Sequence, residues 1–263
     1  MSPPILRPAN LVMPDLSTVL AIETAYLAAW PALETIEQQS WKARFSRGYT
    51  KRANSIHAFD PADEADAGSR LAELAEAYRA RNLRPTFRVN PLTGPAITAE
   101  LDAQGWDVYE PSLVLFMPEP GKLRAVAAVS QTLPPTDQAW AEAQARMADY
   151  SQETQDVFAL VRARLPEKAA GILVYDEAQQ PVGAALSMIA DGIAVYNNVV
   201  VDAAARGKGY GRALMHAALN WAVQNGAHRH AIQVLANNER AVPLYKSLGF
   251  EEIYGYHYRR APL

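Results

Sequence analysis

The sequence predicts an α/β chain that is divided into two units of similar order. Short apolar runs typical of strands alternate with segments of helical periodicity along all 263 residues. A helix, a strand and a second helix, closed by a glycine and an aromatic residue, occur twice in this order, over 65–106 and 209–250. We read this as a tandem repeat, with chance α/β alternation as the alternative.

The first half is expected to hold three helices and several strands. The helices are predicted at 17–29, 64–81 and 97–104, where apolar residues follow a helical period. The strands are predicted at 41–45 and 49–59, as a hairpin around Gly48, at 86–89, and as a final pair that ends near Met117. Five basic residues are expected on the solvent-facing positions of that hairpin: Lys42, Arg44, Arg47, Lys51 and Arg52.

The segment Pro118–Gly121 has the composition of a linker, so we expect domains at 1–119 and 120–263. After it the sequence predicts a first strand at 123–129 and four helices, at 136–150, 155–165, 209–225 and 239–248. The other strands are predicted at 170–175, 182–190, 193–201 and 230–235.

The segment most informative about function runs from a β-branched strand through a glycine-rich loop into a helix. Glycines leave backbone N–H groups uncovered at the helix start, where the helix dipole is positive, and basic side chains add charge. We therefore predict a pyrophosphate-binding loop. Its residues are Arg206, Gly207, Lys208, Gly209, Tyr210, Gly211 and Arg212. The end of the strand that leads into it, Val199, Val200 and Val201, is included in the predicted binding site.

The spacing excludes two familiar phosphate loops. A Walker loop needs Ser or Thr after Gly-Lys, and Gly209 stands there. A dinucleotide fingerprint starting at Gly207 would need a glycine where Arg212 stands. The alternative without a ligand is an ordinary glycine-rich turn before a helix.

The pattern R-x-x-G-x-G, read as Arg206, Gly209 and Gly211, resembles the acetyl-CoA loop of the GNAT N-acetyltransferases. The resemblance covers roughly 122–259, and the stretch 41–55 also resembles the N-terminal half of some bacterial two-domain GNAT proteins. It implies the GNAT fold, a mixed, mostly antiparallel sheet flanked by helices, with two tandem units of which the first is degenerate. It also implies acetyl-CoA as cosubstrate. The implied reaction is direct transfer of the acetyl group to a primary amine of a small molecule, without a metal.

Further along, Asn238, Tyr245 and Gly249-Phe250 resemble the second half of the same signature. The resemblance implies that Asn238 contacts the pantetheine arm and that Tyr245 lies near the thioester sulfur, where it acts as the acid. A backbone N–H from 199–201 would polarise the carbonyl. The alternatives are a helix cap for Asn238 and a core aromatic for Tyr245.

The general base is left unassigned. Val195 and Gln233 stand at positions where some relatives carry a carboxylate. His230 is a further candidate, but strand alternation puts it on the face opposite Gln233. Tyr150, Tyr196, Asn197 and Asn198 are candidates for the acceptor site, although a structural role is favoured for each. The first unit is expected to bind no CoA, because 60–68 lacks the glycine pattern and carries four carboxylates, and Leu101 stands where Tyr245 would.

Composition bounds the setting. A net charge of −3 gives no reason to expect nucleic-acid binding, and no run is long enough to span a membrane. Residues 1–17 lack a signal-like apolar region, so a cytoplasmic enzyme is expected. His228 and His230 lack a third ligand at metal spacing. The sequence leaves open a homodimer, protein or peptide acetylation, and a non-catalytic acyl-CoA-binding regulatory module.

Overall fold

The strands of both halves join in one sheet. The computed structural model describes residues 14–120, 123 and 125–262. Across this part of the chain eleven strands pair in the order β1-β2-β3-β4-β11-β5-β10-β9-β8-β7-β6. Their bounds are β1 Glu34–Gln38, β2 Trp41–Phe45, β3 Ile56–Ala58, β4 Thr86–Val89, β5 Asp107–Met117, β6 Ser130–Leu133, β7 Ala169–Tyr175, β8 Pro181–Ala190, β9 Ile193–Val201, β10 Arg229–Leu235 and β11 Glu251–Arg260.

Helices cover the sheet, and two short 3₁₀ turns lie between elements, at Lys51–Ala53 and Ala203–Ala205. The α-helices are α1 Leu16–Ala29, α2 Ala67–Arg79, α3 Pro95–Ala103, α4 Gln138–Ala148, α5 Gln152–Arg162, α6 Tyr210–Gln224 and α7 Ala241–Ser247. No helix among the described residues is long and apolar enough to cross a membrane.

The tandem order is confirmed. The succession β3-α2-β4-α3-β5 in the first half matches β9-α6-β10-α7-β11 in the second, with a parallel strand pair at the same place in each. Gly105 and Gly249 follow α3 and α7 with positive φ angles of 69° and 104°. The residue after each glycine donates its N–H to the main-chain carbonyl of the residue five positions before it, at 2.9 Å in the first half and 3.2 Å in the second. The two helix ends are therefore equivalent.

The halves exchange their last strands. β5 of the first half lies between β10 and β11, and β11 of the second half lies between β5 and β4. Both exchanged pairings are antiparallel, with His230 opposite Met117 and His257 opposite Val89. Tyr254 of β11 donates its hydroxyl to Glu23 of α1 at 2.7 Å, and Glu23 is paired with Arg88 of β4, so the contact between the halves extends from the sheet into the core.

Three expectations from the sequence are wrong. The tight hairpin joins β1 to β2, and Gly48 instead precedes a 3₁₀ turn, after which β3 pairs with β2. The polar sequence of β1 gave no strand signal. Residues 107–117 form one strand rather than a pair, and the described residues of 123–129 form no strand, the first one being the polar β6.

Arg44 is the exception among the basic residues predicted to face solvent. It is 3% exposed and donates to the main-chain carbonyls of Arg52, at 2.6 Å, and of Trp30. The remaining elements begin and end within about three residues of their predicted bounds. The expectation of no signal region at 1–17 falls mostly on residues 1–13, which lie outside the described residues.

Candidate functional site

The site begins where two parallel strands separate. β9 and β10 pair from Ile193 opposite Arg229 to Tyr196 opposite Ile232, and beyond that point β10 continues to pair with β5 alone. On its other edge β9 carries a bulge against β8, with Asn198 at φ 55°. The edge of β9 that faces β10 is therefore open over residues 197–201, and an extended ligand can pair with it as an added strand.

A cavity of about 460 Å³ occupies this opening. Both halves of the chain line it. From the second half the lining includes Asn198, Val199, Gln233, Asn238, Tyr245 and Tyr256. From the first half it includes Thr50, Lys51, Arg52, Glu110 and Ser112.

The predicted phosphate loop lies directly after β9. Gly207 and Gly209 have φ angles of 80° and 85°, and a Cβ at either would meet nothing within 4 Å. Gly209 is the residue before α6, and no side chain caps that helix. Gly211 plays a different part: its φ is not positive, and a Cβ there would lie 3.3 Å from Leu244 of α7. Two of the three glycines thus shape the bare turn, and the third allows close helix packing.

The three basic residues of the loop also differ in their contacts. Arg206 Nε donates to the carbonyl of Val201 at 3.2 Å, and Arg212 donates to Ser247 Oγ at 3.0 Å. Lys208 is exposed and, within the described chain, forms no ion pair or side-chain hydrogen bond. Charge is therefore present around the turn, but the two arginines also brace it.

Asn238 and Tyr245 both line the cavity, so the structure brings together the two residues on which the second signature depends. Asn238 Oδ1 accepts the N–H of Ala241 at 3.0 Å, which is the capping role considered as its alternative. Tyr245 is 5% exposed, and burial raises the pKa of its phenol to about 12. The phenol is therefore protonated at neutral pH and can donate a hydrogen bond.

The positions considered for a base hold no carboxylate. Val195 is buried in the core between the halves, whereas Gln233 lines the cavity and accepts a hydrogen bond from the Tyr256 hydroxyl at 3.2 Å. His230 is fully buried, with Nδ1 2.6 Å from the Tyr196 hydroxyl. Burial lowers the pKa of His230 to about 4.

Sequence reasoning missed the first-half residues of the site. Among the described residues that line the cavity, Glu110 is the one carboxylate, and it pairs with Lys51 at 2.6 Å. Glu110 has a positive φ of 51°, which places it at an irregular point of β5. No local motif marks these residues, because strand exchange and the loop after Gly48 bring them to the cavity.

A small polar network connects the bulge to both halves. Asn198 Nδ2 donates to the hydroxyls of Tyr150, at 3.0 Å, and of Tyr49, at 3.2 Å. Tyr196, Asn197 and Asn198 line the cavity, whereas Tyr150 lies beyond Asn198 and holds it. The described residues contain no cluster of three or more metal-ligating side chains.

Comparisons with known proteins agree with this geometry. The family model described as "Acetyltransferase (GNAT) family" matches residues 135–250. YobR of Bacillus subtilis (strain 168), an uncharacterized N-acetyltransferase, is 27% identical over 243 residues, which are 90% of this chain and 96% of its own. YhfO of the same strain, also an uncharacterized N-acetyltransferase, is 32% identical over 117 residues, 41% of this chain and 77% of its own.

Among solved structures, a GCN5-related N-acetyltransferase from Kribbella flavida superposes with a TM-score of 0.71 at 18% identity. The match covers 93% of this chain and 95% of that protein, so the likeness of fold spans both halves. With the family model, the two relatives and the separated strands before a glycine loop in agreement, the chain belongs to the GNAT family of acetyltransferases.

Proposed function

We propose that this enzyme transfers the acetyl group of acetyl-CoA to a primary amine of a small molecule. The observation that carries the proposal is the continuity of one path: the bare turn at Gly207–Gly209, the open edge of β9 and the cavity at Tyr245 follow one another. A helix start without a capping side chain suits a pyrophosphate, and an open strand edge suits the amides of a pantetheine arm.

In this proposal the residues at the end of the path assist the chemistry. A backbone N–H from the open part of β9 donates to the thioester carbonyl while the amine attacks it. Tyr245 donates a hydrogen bond to the departing thiolate. Because the pKa of Tyr245 is about 12 and that of an ordinary thiol is about 8.5, full proton transfer is uphill and stabilisation of the thiolate is the larger contribution.

The walls of the cavity favour a small acceptor over a folded protein. The loop at 50–52 and Glu110 of β5 line one side, so that the first half adds a wall to the opening along the sheet. A volume of about 460 Å³ must hold the end of the pantetheine arm together with the acceptor. The cytoplasm, where acetyl-CoA and free amines meet, is the proposed compartment.

The experiment is a thiol-release assay with acetyl-CoA and a panel of small amines, run beside a panel of short peptides. We expect amine-dependent CoA release well above the buffer rate, with peptides slower than the best small amines. Binding of acetyl-CoA without amine-dependent release would instead indicate a sensor module. Release that is faster with peptides would indicate a protein or peptide acetyltransferase.

A further inference from the structure

Arg52 presents an unpaired positive charge to the cavity. It belongs to the 3₁₀ turn at Lys51–Ala53 and is half-buried. In the part of the chain that the structure describes, its Nε is buried and its guanidinium donates to no acceptor. An arginine carries five donors and is always charged, so a partner is needed to offset its partial desolvation.

No carboxylate of the described residues forms an ion pair with Arg52. The guanidinium lies 5.9 Å from the ring centroid of Trp30, and the phenols of Tyr26, Tyr49 and Tyr258 are close enough for its charge to act on them.

Two of the charged groups nearby are paired with carboxylates, and a third, Arg44, is bound by main-chain carbonyls, that of Arg52 among them. Arg88 is held by Glu23, and Lys51 of the lining is held by Glu110. Because Lys51 and Glu110 offset each other, Arg52 leaves the described lining with one net positive charge. The cavity therefore combines the place where an amine would react with a separate site for an anion of single charge.

We propose that the acceptor is an amino carboxylate, a small amine whose carboxylate is bound by Arg52. This rests on the proposed acetyl transfer and names its substrate class. The planar fork of arginine matches the two oxygens of a carboxylate, and one carboxylate balances the one unpaired charge. The amine end then lies toward the bulge of β9, across the cavity from the first-half wall.

The test compares amino acids with partners that differ at the carboxyl group. For each of a panel of amino acids, kcat/KM is measured for the free acid, its amide, the amine without a carboxyl group and the corresponding aminophosphonate. The measurement is repeated with Arg52→Met, which keeps the apolar stem, and with Arg52→Lys. Arg47→Met is the matched control, because Arg47 is an exposed residue of the same loop that does not line the cavity.

We expect the wild-type enzyme to prefer the best acid over its amide by about 10- to 100-fold, as expected for hydrogen bonds to a charged group. Arg52→Met should abolish that preference by lowering kcat/KM for the acid to about that for its amide, and Arg47→Met should retain it. Amides turned over as well as acids, or a preference that survives Arg52→Met, would overturn the inference. A stronger preference for the phosphonate would assign Arg52 to a phosphate-bearing acceptor instead.

If no amine is turned over, the proposed acetyl transfer is wrong, and binding of a carboxylate by Arg52 is tested on its own. The melting temperature of the CoA-loaded protein is then measured with each acid and its amide. A larger rise with the acid, lost in Arg52→Met, supports a carboxylate site. Equal shifts with acid and amide contradict it.

Discussion

The two halves share one element order but differ at the start of the equivalent helix. In the second half, the loop before α6 is bare, with left-handed glycines and no capping side chain. In the first half, acidic side chains fill the corresponding loop: Asp63 binds Arg70 at 2.7 Å, and Glu64 accepts the N–H of Ala96 at 2.8 Å. The bond from Arg70 lowers the pKa of Asp63 to about 2, so this loop is anionic at neutral pH.

A second difference lies in the strands. β9 separates from β10 and opens a cavity, whereas β3 pairs with β4 close to its end, at His57 opposite Arg88. The residue four before the helix-ending glycine is Tyr245 in one half and Leu101 in the other. We therefore propose that the repeated fold is a scaffold and that ligand binding depends on a short loop and a few side chains. The first half contributes a wall of the site instead.

The largest expected effect follows from removal of the bare turn. We expect the intact chain to bind one CoA, and Gly209→Val to raise its dissociation constant by about 100-fold or more. A β-branched residue at φ 85° is strained, and its side chain occupies the open space over the turn. Calorimetric titration with CoA measures both the stoichiometry and the affinity.

Two variants control this experiment. Gly105→Val imposes the same left-handed strain in the first half, at φ 69° with nothing within 4 Å, and should retain CoA binding. Lys208→Ala should weaken binding by about 5-fold or less, because an exposed charge is screened. Two equivalent CoA sites per chain, or a larger loss from Lys208→Ala than from Gly209→Val, would contradict the comparison.

The next effect concerns the aromatic residue that the first half lacks. Tyr245→Phe should lower kcat by about 10-fold and leave the affinity for acetyl-CoA nearly unchanged, because the ring still packs and only the donor is removed. Since the pKa of Tyr245 is about 12, its phenol should add no falling limb to the pH–rate profile below about pH 11. An unchanged kcat with rate-limiting chemistry would exclude this role. Leu101→Ala in the first half affects stability alone and serves as the control.

The smallest expected effect concerns two buried histidines and the loss of stability in acid. Burial lowers the pKa of both His57 in β3 and His230 in β10, to about 4 for His230. The neutral form is favoured in the folded state, so their stabilising contribution is complete above pH 6.5 and is lost as the pH falls toward 4. Between pH 7.5 and 4.5, the unfolding free energy of the wild type should fall by about 1 to 3 kcal/mol more than that of His230→Gln. Denaturant titrations at pH 7.5 and 4.5 measure it.

The charge of the exposed neighbour His228 also contributes to the lowered pKa of His230, so His228→Gln should reduce the acid-dependent loss of unfolding free energy by less than His230→Gln does. If His230→Gln behaves like His228→Gln, the buried imidazole does not contribute to acid sensitivity.

Sequence reasoning found the site residues that lie on neighbouring elements of the chain and missed those that only the fold brings to the site. The glycine loop, Asn238 and Tyr245 lie on consecutive elements with strong local signals, so their meeting was predictable. Arg52 and Glu110 reach the same cavity through pairings between residues far apart in the chain, which carry no periodic signature. Arg44 looked like a surface residue because charge usually means exposure, whereas here main-chain carbonyls bind it in the interior.

The exchanged strands have a consequence for how the molecule is made. β11 follows all other described elements in chain order, yet it lies near the centre of the sheet and touches β4, about 170 residues earlier in the chain. As the ribosome releases the chain, neither half can complete its sheet until this strand has emerged. Contacts so distant in sequence are slow to form, so we expect the two halves to reach their native state in one late, concerted step.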